Sequence, residues 1–226
     1  MTEPLPLQHP RLPGLGRSDF VVSPGNAVAL AMIDGWQNWP SGKLLLTGPR
    51  GSGKTHLAHI WAQAAGARMI AARDLTDQIA PELAHSPVVV EDVDRIGDRS
   101  AEEGLFHLHN LMRENGHPLL MTGAPGVAGW ALTLPDLRSR IQGAQSATLD
   151  LPDDGLLTAL LAKSFGERQL NVPPNVLSYL VRHMDRSFET ARRVVDDLDR
   201  QSLLERRAIT VRMAREVLDN LPPDAS

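Results

Sequence analysis

A glycine-rich octapeptide constrains this chain more than any other feature of its sequence. Gly48-Pro49-Arg50-Gly51-Ser52-Gly53-Lys54-Thr55 follows the pattern Gly-x-x-x-x-Gly-Lys-Thr, with an apolar segment before it and a helical pattern after it. Glycines let backbone N–H groups approach phosphate oxygens closely, and the N-terminus of the following helix adds partial positive charge. We therefore expect a phosphate-binding loop between a strand and a helix, in which Lys54 neutralises phosphate and the Thr55 hydroxyl binds Mg²⁺.

A pair of acidic residues follows a second apolar segment. Val88-Val89-Val90 leads directly into Glu91 and Asp92. In most phosphate sites of this kind an Asp faces the metal and the next acid activates water, so the order here is inverted. We expect Glu91 to face Mg²⁺ and Asp92 to activate water, although a strand that ends in solvated carboxylates is the alternative. Asp94 is expected to be a surface acid.

Short apolar segments alternate with helical patterns over the first two thirds of the chain. The segments that predict strands are Leu44–Thr47, Met69–Ala72, Val88–Val90, Leu119–Thr122 and Thr148–Leu151. The patterns that predict helices between them include Thr55–Ala65 and Ala101–Arg113. This alternation predicts an α/β fold with a parallel sheet that is covered on both faces.

After Pro152 only helical patterns remain. They cover Asp153–Arg168, Pro173–Met184, Ser187–Arg207 and Thr210–Leu221. Ser187 and Thr210 are predicted N-caps, and Pro173-Pro174 is predicted to begin a helix. We therefore expect an extended tail at residues 1–15, a nucleotide-binding α/β base at residues 16–152 and a small helical lid at residues 153–226.

Composition excludes several classes of protein. The chain has 226 residues and no Cys, so disulfide frameworks and Cys-based metal sites are impossible. Its net charge is −4, with 12 basic and 15 acidic residues before Pro152 and 11 and 12 after it, which disfavours direct sequence-specific DNA binding. No segment approaches the run of roughly 18 apolar residues that a membrane span needs, so we expect a cytoplasmic protein without membrane contact.

With both motifs in place, the chain resembles the AAA+ module of the bacterial replication initiator DnaA. It resembles more closely the short relatives of the Hda type, which lack the initiator's DNA-binding domain. The resemblance covers nearly the whole chain and rests on Asp19-Phe20-Val21-Val22 with Asn26-Ala27, Gly51-Ser-Gly-Lys-Thr-His-Leu57, Leu134-Pro-Asp-Leu-Arg-Ser-Arg140 and Leu198-Asp-Arg200. It implies a P-loop AAA+ base with a five-stranded sheet and a helical lid, which bind ADP or ATP with Mg²⁺. It also implies that Phe20 and Asn26 line the adenine pocket and that His56 belongs to the nucleotide-binding segment.

The resemblance implies further roles outside the phosphate loop. Arg140 falls on the arginine finger, and Thr122 falls on the polar sensor at the end of the fourth strand. The lid's sensor arginine falls on Glu189, with Arg192 one turn further on. The initiator's Thr-Ser-Asp is replaced by Thr122-Gly123-Ala124, so the acid is absent. A carboxylate near a γ-phosphate repels it, so the resemblance implies weak or no intrinsic ATPase activity and a smaller penalty for ADP.

Three functions remain open from the sequence. In the first, a nucleotide-loaded regulator offers Arg140 in trans to ATP on DnaA and so switches initiation off. In the second, an independent ATPase resembling a helicase-loader motor uses Glu91 and Asp92. In the third, a nucleotide-stabilised adaptor has no catalytic role. For Arg140 the alternative to a finger is a surface arginine that, with Arg138, forms a salt bridge to Asp136.

The resemblance also implies two kinds of association. Copies of the chain are expected to form a homo-oligomer. Hda-type proteins carry an N-terminal peptide that docks on the DNA polymerase sliding clamp, and Leu5-Pro6-Leu7 resembles its apolar part, although Pro4 stands where Gln is expected.

Overall fold

The structure, a computed structural model, describes residues 15–221. The predicted clamp-binding segment from Pro4 to Leu7 lies outside these residues. The backbone contacts divide the chain into two units. The first contains the described residues up to Phe20 together with Asn26–Pro49 and Lys54–Leu149, and the second contains Val21–Gly25, Arg50–Gly53 and the chain from Asp150 onward. Because this division interleaves the segments, the predicted domain boundaries stay predictions.

Five parallel strands form one sheet in the first unit. They are β1 (Lys43–Thr47), β2 (Arg68–Ala71), β3 (Val88–Glu91), β4 (Leu119–Gly123) and β5 (Ser146–Thr148), in the order β2-β3-β4-β1-β5. All four pairings between neighbours are parallel. The predicted α/β fold with a parallel five-stranded sheet is therefore confirmed.

Both faces of this sheet are buried, which explains why the central strands read as uninterrupted apolar runs. Leu45, Val90 and Met121 belong to a core on one face, whereas Leu46 and Leu120 belong to a core on the other. Successive strand residues point to opposite faces, so a strand that is covered on both sides needs an apolar residue at every position.

Helices before residue 150 supply both covering layers. They are α1 (Pro24–Asp34), α2 (Lys54–Ala65), α3 (Ala80–Leu83), α4 (Arg99–Asn115) and α5 (Pro135–Gln142). The Asp98 carboxylate caps α4 by accepting a hydrogen bond from the Ala101 N–H, and Gly116 ends that helix at a positive φ of 70°. The helices predicted near α2 and α4 are confirmed, whereas α1 was not predicted.

The predicted fifth strand, Thr148–Leu151, was placed about two residues too late. β5 pairs only with β1, from Leu45 opposite Ser146 to Thr47 opposite Thr148. β1 then turns into the phosphate loop, and the Leu149 N–H makes the last bond to the Thr47 carbonyl oxygen at 2.8 Å. Leu151 lies beyond this partner and is 43% exposed. The strand ends because its neighbour ends.

The second unit contains a bundle of four helices. They are α6 (Asp154–Glu167), α7 (Pro174–His183), α8 (Phe188–Glu205) and α9 (Val211–Asn220), around a core that includes Val176, Leu180, Val194, Leu198 and Met213. Ser187 and Thr210 cap α8 and α9 with their hydroxyls, and Pro174 is the first residue of α7, as predicted. Within residues 15–221, none of the helices combines the length and apolar character that crossing a membrane requires.

Candidate functional site

The phosphate loop begins where β1 ends. Its first N–H, from Gly48, donates to the Gly123 carbonyl oxygen at 3.2 Å and so joins the loop to the end of β4. Gly51 and Gly53 have φ angles of 76° and 96°, which side chains with a Cβ rarely adopt. Lys54 is the first residue of α2. The glycines of the motif thus occupy the positions that shape the loop.

The Lys54 side chain folds back onto this loop. Its Nζ donates to the carbonyl oxygens of Gly48 at 2.8 Å and Pro49 at 2.9 Å. Burial lowers the pKa of Lys54, and the carboxylates of Asp92, Asp94 and Glu91 oppose that shift. A partly desolvated ammonium that is held on a loop of glycines is suited to bind phosphate oxygens.

The middle of the loop belongs to the second unit. The Phe188 N–H donates to the Gly51 carbonyl oxygen at 3.2 Å, and a Cβ placed on Gly51 would lie 2.6 Å from the Ser187 Cβ. A side chain at position 51 is therefore excluded by close approach as well as by backbone angle. The Ser52 hydroxyl oxygen is buried and has no hydrogen-bond partner within the described part of the chain, as expected of a group that awaits a ligand.

Thr55 and Glu91 meet through a side-chain hydrogen bond. Burial raises the pKa of Glu91, and the nearby Asp92 charge adds to the shift, while Thr55 and Lys54 oppose it. The Oε1 atom of Glu91 is buried without a hydrogen-bond partner among the described residues. One hydroxyl and one unsatisfied carboxylate oxygen fit Mg²⁺, which takes oxygen ligands and keeps much of its shell as water and phosphate. Residues 15–221 hold no group of three or more His, Asp or Glu side chains that could bind a metal ion by themselves.

Asp92 turns the chain out of β3. It has left-handed backbone angles, φ 55° and ψ 49°, which Asp tolerates better than most residues. Its N–H donates to the Oγ1 of the buried Thr122 at 3.1 Å, while the Asp92 side chain is exposed. The structure therefore places Glu91, Asp92 and Thr122 at one edge of the sheet, beside Lys54.

The expectation that Asp94 is a surface acid was wrong. Only 17% of its side chain is exposed, and its Oδ1 accepts a hydrogen bond from the Ala124 N–H at 3.0 Å. A Cβ on Gly123 would lie 2.4 Å from Cη2 of Trp130, so this ring excludes a side chain there. Asp94 thus binds the backbone of residue 124, the position at which the resemblance leads one to expect an acid. In the sequence, the spacing Asp92-x-Asp94 directly after a buried strand is the feature that could have indicated this position for Asp94.

Phe20 and His56 pack against each other on the first unit. Their rings lie edge to face, with centroids 5.2 Å apart. The His56 Nε2 lies 3.0 Å from the Gly16 carbonyl oxygen, which can only accept, so Nε2 carries the proton. His56 therefore fixes the segment that contains Phe20. Asn26 is buried near the start of α1, in keeping with a role in lining a pocket.

Arg140 lies on α5 and contacts α4. Its guanidinium stacks 4.7 Å from the centroid of the Phe106 ring, and its Nη1 bonds to Asn110 Oδ1 and lies 3.3 Å from His109 Nδ1. Within residues 15–221, neither Arg140 nor Arg138 forms the expected salt bridge to Asp136, and Arg138 instead donates to the Leu132 carbonyl oxygen. Arg140 is thus separate from the phosphate-loop contacts and is held by uncharged groups.

The predicted lid residues lie on α8 in the second unit. Glu189 is an exposed residue in the first turn, and its N–H donates to Ser187 Oγ at 3.1 Å. Arg192 is half-buried one turn later. The assignment of Arg192 to nucleotide binding stays a prediction.

The chain resembles known proteins in both lid and fold. Residues 144–218 match the family model described as the lid domain of Hda. Domain III of the replication initiation protein DnaA from Thermotoga maritima is similar at a TM-score of 0.78 and 19% identity, over 94% of this chain and 98% of that one. AMPPCP-bound DnaA from Aquifex aeolicus is similar at 0.67 and 19%, over 86% and 70%. The Holliday junction branch migration motor RuvB from Thermotoga maritima is similar at 0.70 and 16%, over 92% and 72%.

The raised pKa of Glu91 predicts that its charge destabilises the ligand-free protein. A carboxyl whose pKa is higher in the folded than in the unfolded state lowers the free energy of unfolding at pH values above both pKa values, where it is charged in both states. Glu91→Gln should therefore raise the free energy of unfolding at pH 7, and the gain should shrink as the pH falls toward 4. Denaturant unfolding in EDTA measures this, with Glu114→Gln, at an exposed position of α4, as the control that changes little. A Glu91→Gln protein less stable than the wild type at pH 7 contradicts the assignment.

Proposed function

We propose that the chain is a DnaA-related AAA+ protein of the Hda type that regulates the initiation of DNA replication. The match of residues 144–218 to the Hda lid domain and the likeness of the fold to domain III of DnaA support this. The chain binds nucleotide in its own phosphate loop and presents Arg140 in trans to ATP on DnaA, which accelerates hydrolysis of that ATP. The observation that carries the proposal is the state of Arg140, a half-buried guanidinium whose contacts in residues 15–221 are all uncharged. Its positive charge is therefore left for an anion outside this chain.

The geometry of Arg140 suits recognition of a phosphate. A guanidinium is charged at every physiological pH and presents five N–H donors in a planar fork. Both hydrogen bonds to α4 use Nη1, so among the described residues the edge formed by Nη2 and Nε has no protein acceptor. That edge can bind two phosphate oxygens at once, which is the bidentate mode that Arg favours.

The chain's own nucleotide serves as ligand more than as substrate in this proposal. The phosphates bind to the loop Gly48–Thr55, which includes Ser52 and Lys54. The adenine base lies against Phe20 and Asn26. Mg²⁺ binds to Thr55 and Glu91. When bound, Mg²⁺ neutralises phosphate charge. In this proposal Asp92 activates water. The sequence resemblance puts Glu91 where an Asp is usual and Glu189 where a lid arginine is usual, so we expect slow intrinsic hydrolysis and retention of ADP.

Replacing Lys54 tests the nucleotide site. Lys54→Ala removes an ammonium that two loop carbonyls hold in place, and phosphate charge then meets only backbone N–H groups. We expect ADP affinity to fall at least about 100-fold, as measured by calorimetry, because charge-assisted contacts to phosphate dominate such sites. ADP should also raise the melting temperature of the wild type and leave that of the variant unchanged. Unaltered affinity would show that the nucleotide lies elsewhere.

Replacing Arg140 tests the regulatory proposal. Arg140→Ala should keep the fold and ADP affinity but lose stimulation of ATP hydrolysis on DnaA by roughly 10³-fold, the scale at which arginine fingers act. Arg140→Lys should lose nearly as much, because an ammonium keeps the charge without the fork. Arg138→Ala, on the same helix, is the matched control and should stimulate normally. If Arg140→Ala stimulates as the wild type does, the finger assignment is wrong and a non-catalytic adaptor becomes the better proposal.

Two associations complete the proposal, and the sequence resemblance alone supports them. Leu5 and Leu7 dock on the DNA polymerase sliding clamp, so deletion of residues 1–12 should abolish clamp binding in surface plasmon resonance without changing the melting temperature. Clamp binding that survives the deletion would falsify this part. Copies of the chain associate when nucleotide is bound, and sedimentation velocity that shows a monomer with and without ADP would exclude it.

A further inference from the structure

Two buried titratable side chains lie beside Arg140 and take no part in the nucleotide site. Lys43 is the first residue of β1 and is 4% exposed, and His109 lies on α4 and is 6% exposed. The Lys43 Nζ lies 3.2 Å from His109 Nδ1 and donates to the His109 carbonyl oxygen, also at 3.2 Å. Neither side chain has a carboxylate partner in residues 15–221. A buried lysine without an acid requires a reason, since burial of an uncompensated charge is costly.

The contacts of the His109 ring fix its protonation. An ammonium has only donors, so Nδ1 must accept from Lys43 with its lone pair, and the ring proton must lie on Nε2. The Nη1 of Arg140, also a donor, lies 3.3 Å from the same Nδ1. A proton on Nδ1 would face two cationic donors. The neutral ring with its proton on Nε2 is therefore the form that these contacts permit.

The charges that face this ring all have the same sign. They are Lys43 on β1, Arg113 on α4 and Arg140 on α5, and together with burial they lower the pKa of His109 to about 3. Burial, with Arg113 and Arg140, lowers the pKa of Lys43 to about 8. At pH 7 the ring is thus a neutral acceptor, whereas Lys43 is mainly charged.

We propose that Lys43 and His109 are positioning residues for Arg140. The ammonium holds the His109 ring with its Nδ1 lone pair toward Nη1, and this shared contact, with the contacts to Asn110 and Phe106, fixes the guanidinium before the partner's phosphate arrives. A long side chain that is ordered in advance loses less conformational freedom when it binds. The inference rests on the proposed function and assigns to it two residues that touch neither nucleotide.

A purely structural role makes the opposite prediction for stability. If Lys43 served only to support the fold, its replacement would lower the melting temperature. In the positioning role, Lys43→Met removes a buried cation that faces other cations, so the melting temperature at pH 7 should not fall. The maximal rate of stimulated hydrolysis should nevertheless drop several-fold, because the His109 ring loses the shorter of the two donor contacts that hold its Nδ1 in place.

A pair of His109 variants isolates the hydrogen bond. His109→Leu fills the same space without an acceptor, whereas the Oδ1 of His109→Asn replaces Nδ1 as an acceptor. We expect His109→Leu to lower the maximal rate of DnaA-bound ATP hydrolysis by roughly tenfold while leaving the concentration for half-maximal stimulation unchanged, since only the orientation of Arg140 in the transition state is affected. His109→Asn should restore the rate to within about threefold of the wild type. Equal rates for the wild type and His109→Leu would overturn the proposal.

Imidazole ¹⁵N NMR tests the pair on this chain without a partner. The chain has eight histidines, so the signals that vanish in His109→Leu identify His109. In the wild type its Nδ1 should be unprotonated and its Nε2 protonated throughout pH 5–7, and the chemical shift of Nδ1 should change in Lys43→Met, where one of its two donors is lost. A protonated Nδ1 in the wild type contradicts the inference. The two proposals fail in different experiments. If Arg140→Ala loses stimulation and His109→Leu does not, only the positioning role is excluded. If the wild type never stimulates DnaA, the proposed function itself is excluded.

Discussion

The pairing of β4 with its neighbours β1 and β3 determines where the groups of the candidate nucleotide site lie. The parallel register sets Leu46 opposite Thr122 and Val90 opposite Met121, so the strands end together at one edge. Parallel strands deliver their carboxyl ends to the same side, and in open α/β sheets ligands bind there. The phosphate loop, the acids that follow β3 and Thr122 therefore meet without any of them being close in sequence.

The same unit contains two clusters of opposite charge. Around Lys54 the carboxylates of Glu91, Asp92 and Asp94 outnumber the cation, and Glu91 is left with an unsatisfied oxygen. Around Arg140 the nearby charges are all positive and their partner is a neutral imidazole. A cluster rich in carboxylates suits a magnesium nucleotide, and a cluster rich in cations suits a phosphate carried by another molecule.

Much of the fold could be predicted because its causes are local. Neighbouring residues in the sequence determine the local structure of the apolar run Val88–Val90, of the caps Ser187 and Thr210 and of the glycine loop. β5 was placed late because its end depends on where β1 ends, and α1 was not predicted because the segment that begins it was interpreted only as part of a pocket. In the site, Lys54, Thr55 and Glu91 followed from one motif and one strand end. The roles of Asp94 and His109 depend on Ala124 and Arg140, about 30 residues away, and the only local signal was the spacing of Asp94 from Asp92 after a buried strand.

In the proposed function this chain acts on ATP bound to another protein. Single-turnover hydrolysis of labelled ATP preloaded on DnaA, followed while the ADP-loaded chain is added in increasing amounts, tests this action. We expect the rate to rise with chain concentration and to saturate, while the chain alone hydrolyses ATP far more slowly. A DnaA hydrolysis rate that stays unchanged at every concentration of the ADP-loaded chain would contradict it.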